Sequence, residues 1–164
     1  MTDQAEELLA LLRHRGLHLA VAESLTGGAL SAALVTVPGA SDVFRGAVIA
    51  YATPVKQTLL GVDARLLAER GPVDGEVARQ MARGARKALT VEGGEAEVGV
   101  STTGVAGPTM QDGAPIGTVH IGVSRGDRQE SRAFRFEGDR AAIRAEAVSA
   151  ALSYLREWIS EDGE

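Results

Sequence analysis

The sequence predicts a single α/β domain over residues 1–164, built as three α/β/α layers around a mixed, mostly parallel sheet. Two observations support this fold. Short apolar runs typical of buried strands alternate with alanine- and leucine-rich stretches of helical periodicity through the earlier part of the chain. Later, two strand-like runs flank a turn and a long helical stretch follows, which predicts a C-terminal β-hairpin plus a long final helix.

The first helix and the first strand are predicted from leucine spacing and a glycine stop. Leucines at positions 8, 9, 11 and 12 predict an apolar helix face over Asp3–Arg15, and Gly16 is a typical helix end. The apolar run Leu17–Ala22 then predicts a buried strand.

The next three elements alternate between helix and strand. An alanine-rich run predicts a helix over Ala29–Thr36, which ends near Pro38. The run Gly46–Ala52 predicts the second strand. Pro54 suits the first turn of a short helix that continues through Lys56 to Leu60.

Two aspartates predict the starts of the following helices. Asp63 and Asp74 have the position and side chain of N-caps, and the helix after Asp74 extends to about Leu89 with apolar residues spaced four apart. Glu97–Thr103 predicts the third strand.

The C-terminal part contains the hairpin and the last helix. Gly117–Ser124 and Glu130–Phe136 flank the turn sequence Arg125–Arg128, which contains Gly126-Asp127. Asp139 is placed to cap a final helix with regularly spaced apolar residues. Helices are therefore expected on both faces of the sheet.

The composition is that of a globular domain and excludes several function classes. With 164 residues, 45% of them hydrophobic and 24% charged, the chain can form one substantial core. A net charge of −5 and the lack of a basic cluster disfavour direct binding to DNA or RNA. The absence of cysteine excludes disulfides, thiolate metal sites and cysteine-nucleophile amidase chemistry.

The N-terminal residues and the apolar runs indicate the cellular compartment of the protein. The first seven residues are acidic, so no secretory signal is visible, and no apolar run reaches the ~20 residues that span a bilayer. The absence of cysteine is compatible with a reducing compartment. We therefore expect a cytoplasmic protein that does not bind membranes.

Four polar segments fall where predicted strands end or helices begin. They are Ser24–Gly28, Tyr51–Lys56, Ser101–Pro108 and Gly138–Arg140. Helical crossovers make the first three strands parallel, and ligands of open α/β sheets bind outside the carboxyl ends of such strands. The first three segments are therefore expected to meet at one edge of the sheet and to form a site there.

Ser24 lies at the junction between the first strand and the second helix. The first amides of a helix lack internal partners and carry the positive end of the helix dipole, and glycines allow close approach of a ligand. Ser24 is therefore a candidate nucleophile, and Thr26, Gly27 and Gly28 are candidate oxyanion or phosphate donors. A hydroxyl N-cap followed by a glycine turn explains the same residues without a site.

Three further side chains are candidates. Lys56 is either a solvated helix lysine or a base for Ser24, and the second role requires a pKa well below the usual ~10.4. Arg140 opposes the dipole of the final helix unless an anion is present, which slightly favours a phosphate or carboxylate ligand, although a plain surface arginine is the default interpretation of a single arginine. Tyr51, taken by itself, is predicted to be a core residue.

Several familiar sites are disfavoured. The glycines of the Ser101–Pro108 segment form neither a Walker loop nor a dinucleotide fingerprint. His14, His18 and His120 lie inside predicted elements, away from the four segments, which argues against a Ser-His-Asp triad. Since these histidines also lack metal-ligand spacing, no metal site is expected.

Together, the segments resemble the family of the C-terminal domain of the competence/damage-inducible protein, which includes stand-alone nicotinamide mononucleotide (NMN) amidohydrolases. The resemblance extends over essentially the whole chain. The matching segments are Ala22–Gly28, Tyr51 with Lys56, Ser101–Pro108, Pro115–Val119 and Gly138–Arg140. Larger members have an additional N-terminal nucleotide-hydrolase domain, so the resemblance is to the stand-alone form.

The resemblance implies hydrolysis of NMN to nicotinate mononucleotide and ammonia in pyridine-nucleotide recycling, without a cofactor. Ser24 matches the nucleophile and Lys56 its general base, a Ser-Lys dyad that acts through an acyl-enzyme. Tyr51 and Thr103 match residues that position the dyad and the substrate, and Arg140 matches a substrate-binding arginine. A three-layer fold and a homodimer are also implied by the resemblance.

Some points stay open at this level. The oxyanion donors are amides near Thr26–Gly28 or near Gly104. The loop at positions 109–115 replaces a glycine-rich stretch found in many family members, which affects substrate fit if the loop covers the ligand. The alternatives are a catalytically inactive nucleotide-binding or protein-interaction module of the same fold, and a peptidase or β-lactam-type hydrolase. The last is disfavoured because Ser-x-x-Lys spacing on one helix is absent.

Overall fold

The computed structural model of the protein describes residues 1–161. Six α-helices and one short 3₁₀ turn accompany five strands within these residues. The helices are α1 Thr2–Arg15, α2 Ala29–Val35, α3 Thr53–Leu60, α4 Ala64–Arg70, α5 Gly75–Ala88 and α6 Arg140–Glu161, and the turn is Ala40–Asp42. The strands are β1 Leu19–Glu23, β2 Phe44–Ile49, β3 Val98–Gly104, β4 Thr118–Arg125 and β5 Arg128–Arg135.

The five strands of residues 1–161 form one mixed sheet in the order β2-β1-β3-β4-β5. Strand β1 pairs in parallel with both β2 and β3, while β4 pairs antiparallel with β3 and with β5. Consequently β4 alone runs against the other four described strands. The predicted mixed, mostly parallel sheet with a C-terminal hairpin is confirmed, and the carboxyl ends of β1, β2 and β3 lie at one edge.

Helices cover both faces of the sheet, as expected for three layers. The larger core joins α1, α2 and α6 to one face, and the smaller core joins α3 and α5 to the other. Strand β1 contributes to both in alternation, because Leu19 and Val21 lie in the larger core while Ala20 and Ala22 lie in the smaller one. This strand is therefore buried throughout, and its last residue is followed directly by Ser24.

The backbone of α5 lies directly against the sheet because two strand positions have no side chain. A Cβ added to Gly122 on β4 would lie 2.2 Å from the carbonyl oxygen of Ala78, and one added to Gly99 on β3 would lie 2.1 Å from that of Ala82. Between them, the hydroxyl of Ser101 donates to Ala78 O at 2.6 Å. This close contact fixes the height of α5 above β3, the strand that leads into the site.

Local signals for helix ends are confirmed. Gly16 adopts φ 62° and ends α1, and the side chains of Asp63 and Asp74 accept hydrogen bonds from the first amides of α4 and α5. Asp139 likewise accepts from the N–H of Ala142 at 2.8 Å at the start of α6.

Four predicted strand boundaries were wrong by two residues or more, namely the starts of β1 and β5 and both ends of β2. Leu17 lies in the turn that ends α1 rather than in β1, because its N–H donates to Leu12 O across the helix stop. Strand β2 begins two residues earlier than predicted, at Phe44, which pairs with Leu19, and it ends at Ile49. The polar segment after β2 therefore starts at Ala50, whose N–H still donates to Glu23 O.

The contact between α5 and the sheet predicts that Gly122→Ala lowers the free energy of unfolding by about 3 kcal/mol, because a methyl group would overlap the Ala78 carbonyl. Urea denaturation followed by circular dichroism measures this change. Gly94→Ala is a matched control, since its nearest neighbour would lie 3.6 Å from the added Cβ. Equal stabilities for the two variants would contradict the close contact.

Candidate functional site

The expected segments do meet at the carboxyl edge of the sheet, around a cavity of about 300 Å³. Small-molecule pockets begin at about this volume. The candidates that line it are Ser24, Tyr51, Lys56, Thr103, Gly104 and Arg140, and the other lining residues are Leu25, Pro72, Val73, Val105, Ala106, Gly107, Thr109, Met110 and Gln111. Five separate parts of the chain thus contribute to one small pocket.

Ser24 is the first residue after β1 and is 8% exposed. Its N–H donates to Thr102 O at 3.0 Å on the neighbouring strand, and its carbonyl accepts from the N–H of Gly27 at 3.1 Å. Gly27 and Gly28 have φ values of 56° and 97°, which residues with a side chain rarely adopt. The two glycines therefore permit the tight turn that leaves Ser24 at the sheet edge.

Lys56 lies in the second turn of α3 and is 1% exposed. Its Nζ is 2.8 Å from Ser24 Oγ and 2.8 Å from the carbonyl oxygen of Ala50. The contact follows from topology: β1 and β2 are parallel neighbours, so the residue after β1 and the helix after β2 begin at the same edge. The side chain is therefore buried against Ser24 and is not a solvated helix lysine.

Burial lowers the pKa of the Lys56 ammonium from 10.5 to about 8. No carboxylate forms an ion pair with Lys56 anywhere in residues 1–161, so only its two hydrogen bonds, and no opposite charge, offset the cost of desolvating its ammonium. An amine with this pKa is neutral in a substantial fraction of molecules near pH 8. It can accept the proton of Ser24 Oγ while its own N–H donates to Ala50 O.

Arg140 and Tyr51 lie together at the mouth of the cavity. The guanidinium of Arg140 donates to Tyr51 Oη at 3.0 Å and to the carbonyl of Gly107 at 2.8 Å. Tyr51 is 61% exposed, so its assignment to the core from sequence alone was wrong: β2 ends before it and its ring lies outside the packed layers. The carboxylate of Asp139 already offsets the dipole of α6 at this end.

The third strand supplies the cavity wall opposite Ser24. Thr103 is buried, and its hydroxyl donates to Pro72 O at 2.6 Å, which ties the segment before α5 to the site. A Cβ on Gly104 would lie 2.6 Å from Thr118 O, so this position admits glycine alone. His120 pairs with Thr103 in the sheet register, so the expectation that all three histidines lie away from the polar segments was wrong for His120.

Thr26, Gly27 and Gly28 do not line the cavity. The side chain of Thr26 is buried, with its Oγ1 2.8 Å from that of Thr102. The carboxylate of Glu23 accepts from the N–H of Gly28 at 2.9 Å, and also from Leu30, Ser31 and the Ser31 hydroxyl. The first amides of α2 therefore hold a protein carboxylate, and the expectation that the Gly28 amide serves a ligand was wrong.

Sequence reasoning missed two residues that hold the turn after Ser24. Glu23 is fully buried at the start of α2, and Arg144 donates from its Nε to Leu25 O at 2.9 Å and from its Nη2 to Thr26 O at 2.8 Å. A signal existed for Arg144, which lies one helical turn after Arg140 on the same face of α6. An acidic residue near a helix start was the corresponding signal for Glu23. No local pattern marked the lining residues Pro72 and Val73.

Three further observations concern metal binding, membrane spanning and the hydrogen-bond partner of Ser24. In residues 1–161, no group of three or more His, Asp or Glu side chains is arranged to hold a metal ion. None of the helices in that range is both long enough and apolar enough to cross a bilayer. The hydroxyl of Ser24 has a lysine as its partner and no histidine.

Comparison with known sequences finds one family model and relatives whose names agree with it. The model of the CinA C-terminal domain family matches residues 1–159. A "CinA-like protein" of Frankia casuarinae is 47% identical over 153 residues, which cover 93% of this chain and 34% of that protein. A "putative competence-damage inducible protein" of Desulforamulus reducens is 42% identical over 149 residues, 91% of this chain and 35% of that protein. The chain thus spans about a third of the length of these curated relatives.

Solved structures share the whole fold. The competence damage-inducible protein A (ComA) of Klebsiella pneumoniae subsp. pneumoniae MGH 78578 superposes with a TM-score of 0.90 at 30% identity, covering 97% of this chain and 96% of that one. The competence/damage inducible protein CihA of Agrobacterium tumefaciens gives a TM-score of 0.86 at 30% identity, over 94% and 92% of the two chains. This chain is therefore similar to both over nearly its full length.

The buried amine predicts a pH-dependent stability. Below pH 8 Lys56 is protonated in both the folded and the unfolded protein; between pH 8 and 10.5 the unfolded chain alone binds that proton, so stability rises with pH. Relative to Lys56→Met, the parent should therefore gain about 3 kcal/mol of unfolding free energy across this range. Urea denaturation at a series of pH values measures the difference.

Lys87→Met is the matched control, because Lys87 is exposed on α5. Its stability should follow that of the parent at pH values from 8 to 10.5. Parallel curves for the parent and Lys56→Met would contradict the lowered pKa.

Proposed function

This chain belongs to the CinA C-terminal domain family, and on that premise we propose that it is an amidohydrolase with a Ser24–Lys56 dyad. The proposed substrate is NMN, and the products are nicotinate mononucleotide and ammonia, a step in pyridine-nucleotide recycling. The substrate follows from the resemblance of the motifs to stand-alone NMN amidohydrolases. The reaction type follows from the chemistry of the cavity.

The observation that carries the proposal is the 2.8 Å contact between Lys56 Nζ and Ser24 Oγ inside a cavity wall. A serine hydroxyl is a weak nucleophile until a base removes its proton. A surface lysine cannot serve, because it is protonated at neutral pH. Burial gives Lys56 a pKa of about 8, which supplies a neutral amine at the required position.

In the proposed mechanism, Ser24 Oγ attacks the carboxamide carbon while its proton passes to the lone pair of Lys56 Nζ. The resulting ammonium then protonates the departing nitrogen, which leaves as ammonia, and Ser24 is left as an acyl ester. Neutral Lys56 next deprotonates a water molecule that attacks the ester. The proton returns to Ser24 Oγ as the product leaves as a carboxylic acid, which loses its own proton to water, so the enzyme is restored.

Arg140 is proposed to bind the substrate phosphate. No carboxylate within residues 1–161 forms an ion pair with its guanidinium, which donates to the Tyr51 hydroxyl and the Gly107 carbonyl. A guanidinium with neutral partners keeps its full attraction for an anion, and an arginine can bind phosphate through two parallel hydrogen bonds. Tyr51, as its partner, is proposed to hold the guanidinium at the mouth.

Thr103 is proposed to position the wall of the cavity, since its hydroxyl donates to Pro72 O rather than toward Ser24. Thr109, Met110 and Gln111 would contact the substrate in place of the glycine-rich stretch of other members. Assembly as a homodimer and a cytoplasmic location stay predictions.

The direct test is ammonia release from NMN by the purified protein. Ser24→Ala and Lys56→Met should each lower kcat by about 1,000-fold or more, because each removes a member of the dyad. Lys87→Met is the control with the same side-chain change at an exposed position, and it should keep the parent rate. Circular dichroism verifies that all variants are folded.

Release of ammonia that persists in Ser24→Ala would contradict the dyad while retaining the activity. A parent protein that binds NMN without hydrolysing it would contradict the proposed function and favour an inactive nucleotide-binding module of the same fold.

A further inference from the structure

The two peptide groups that follow Ser24 are fixed by their carbonyl oxygens. Ser24 O accepts from the N–H of Gly27 at 3.1 Å, within the turn. Leu25 O accepts from Arg144 Nε at 2.9 Å, across from α6. A trans peptide group directs its N–H opposite to its C=O. Fixing these two carbonyls therefore fixes the directions of the N–H groups of Leu25 and Thr26.

These two N–H groups have no acceptor among residues 1–161. Both residues are buried, Leu25 at 3% exposure and Thr26 at 0%. A buried amide without a protein partner costs about 1–3 kcal/mol, and such groups are rare outside functional sites. They are adjacent to the serine, and Leu25 lines the cavity.

The other amides of this turn and helix start are already used. Gly27 donates to Ser24 O, and Gly28, Leu30 and Ser31 donate to the carboxylate of Glu23. In this stretch of the chain, the two amides directly after the nucleophile are therefore free to bind a ligand, whereas these amides of Gly27, Gly28, Leu30 and Ser31 are not. In hydrolases with a serine at a strand-to-helix turn, the amide of the residue after the nucleophile is a common oxyanion donor.

We propose that the backbone N–H groups of Leu25, which lines the cavity, and of Thr26, the next residue, form the oxyanion hole of this site, and that Arg144 is the positioning residue that orients the Thr26 N–H. The inference rests on the proposed function, since it needs Ser24 to be the nucleophile. When Ser24 Oγ bonds to the carbonyl carbon and its proton passes to Lys56, the carbonyl π electrons move onto the oxygen. The two N–H groups donate to that negative oxygen.

The charge of Arg144 adds to this effect through the peptide groups. A cation that donates to a carbonyl polarises the peptide and strengthens its N–H as a donor. Arg144 holds two successive carbonyls, because its Nη2 also donates to Thr26 O at 2.8 Å. Glu23 holds the other side of the turn through the amides of α2. The turn is thus held by opposite charges, with Arg144 on its carbonyls and Glu23 on the amides that follow it.

The test compares Arg144→Ala with a variant that loses a similar arginine far from the site. Arg86 donates to the carbonyls of Ala96 and Gly126 at 2.8 and 2.9 Å, beyond the opposite end of the sheet, so Arg86→Ala also removes two arginine–carbonyl contacts, together with those to Ser124 and Glu95. Two reactions are measured: ammonia release from NMN, and p-nitrophenol release from p-nitrophenyl acetate corrected for the Ser24→Ala background. The second reports acylation of Ser24 whatever the natural substrate is.

Arg144→Ala should lower kcat for both reactions by about 100-fold, with KM for NMN changed by less than about threefold. Millimolar guanidinium should restore part of the rate in Arg144→Ala alone. The midpoint of the pH–rate profile, which Lys56 sets, should stay at about 8. Arg86→Ala should keep the parent kcat per folded molecule.

Equal rates for Arg144→Ala and the parent, or losses matched by Arg86→Ala, would overturn the proposal. Acylation of Ser24 that depends on Arg144, in a parent protein that releases no ammonia from NMN, would overturn the proposed substrate and keep the oxyanion hole. A parent protein whose Ser24 reacts with neither compound would overturn both.

Discussion

The burial of one amine is the constraint on which the site depends. Lys56 lies in the wall of the cavity, and its Nζ has a serine hydroxyl and a backbone carbonyl as its two hydrogen-bond partners, each at 2.8 Å. A nearby carboxylate would raise its pKa and keep it charged, and exposure to water would do the same. The arrangement therefore lowers stability, since the charged form is desolvated without an opposite charge nearby, and in return Ser24 has a neutral base beside it.

The fold explains how this pair is brought together. Parallel pairing of β1 with β2 and β3 places three chain segments at one edge, and the crossover helices return the chain without obstructing it. On the opposite face of the sheet from α6, α5 lies directly on glycines of β3 and β4, which fixes the level of the strand that ends at Thr103. Across the site, α6 contributes Arg140 to the cavity mouth and Arg144 to the turn after Ser24.

Much of this could be predicted from the sequence because the signals were local. Gly16 and the capping aspartates marked helix ends, and the order of strands and helices implied that Ser24, Lys56 and the segment after β3 would converge. The exposure of Tyr51, in contrast, depends on where β2 ends, and pairing with β1 decides that. The partners of the turn after Ser24 were missed for a similar reason. Arg144 lies more than one hundred residues away along the chain, and although its place one turn after Arg140 was a signal, no sequence pattern marks the carbonyls that it contacts.

The measurement that tests the central claim most directly is the titration of Lys56 itself, by NMR of protein labelled with ¹³C and ¹⁵N at lysine. The chain has a second lysine, Lys87, which is exposed and serves as an internal reference, and Lys56→Met assigns the signals. A midpoint at about pH 8 for Lys56 is the predicted result. A midpoint near 10.5, the usual value for lysine, would contradict the account, because Ser24 would then have no neutral base beside it at neutral pH.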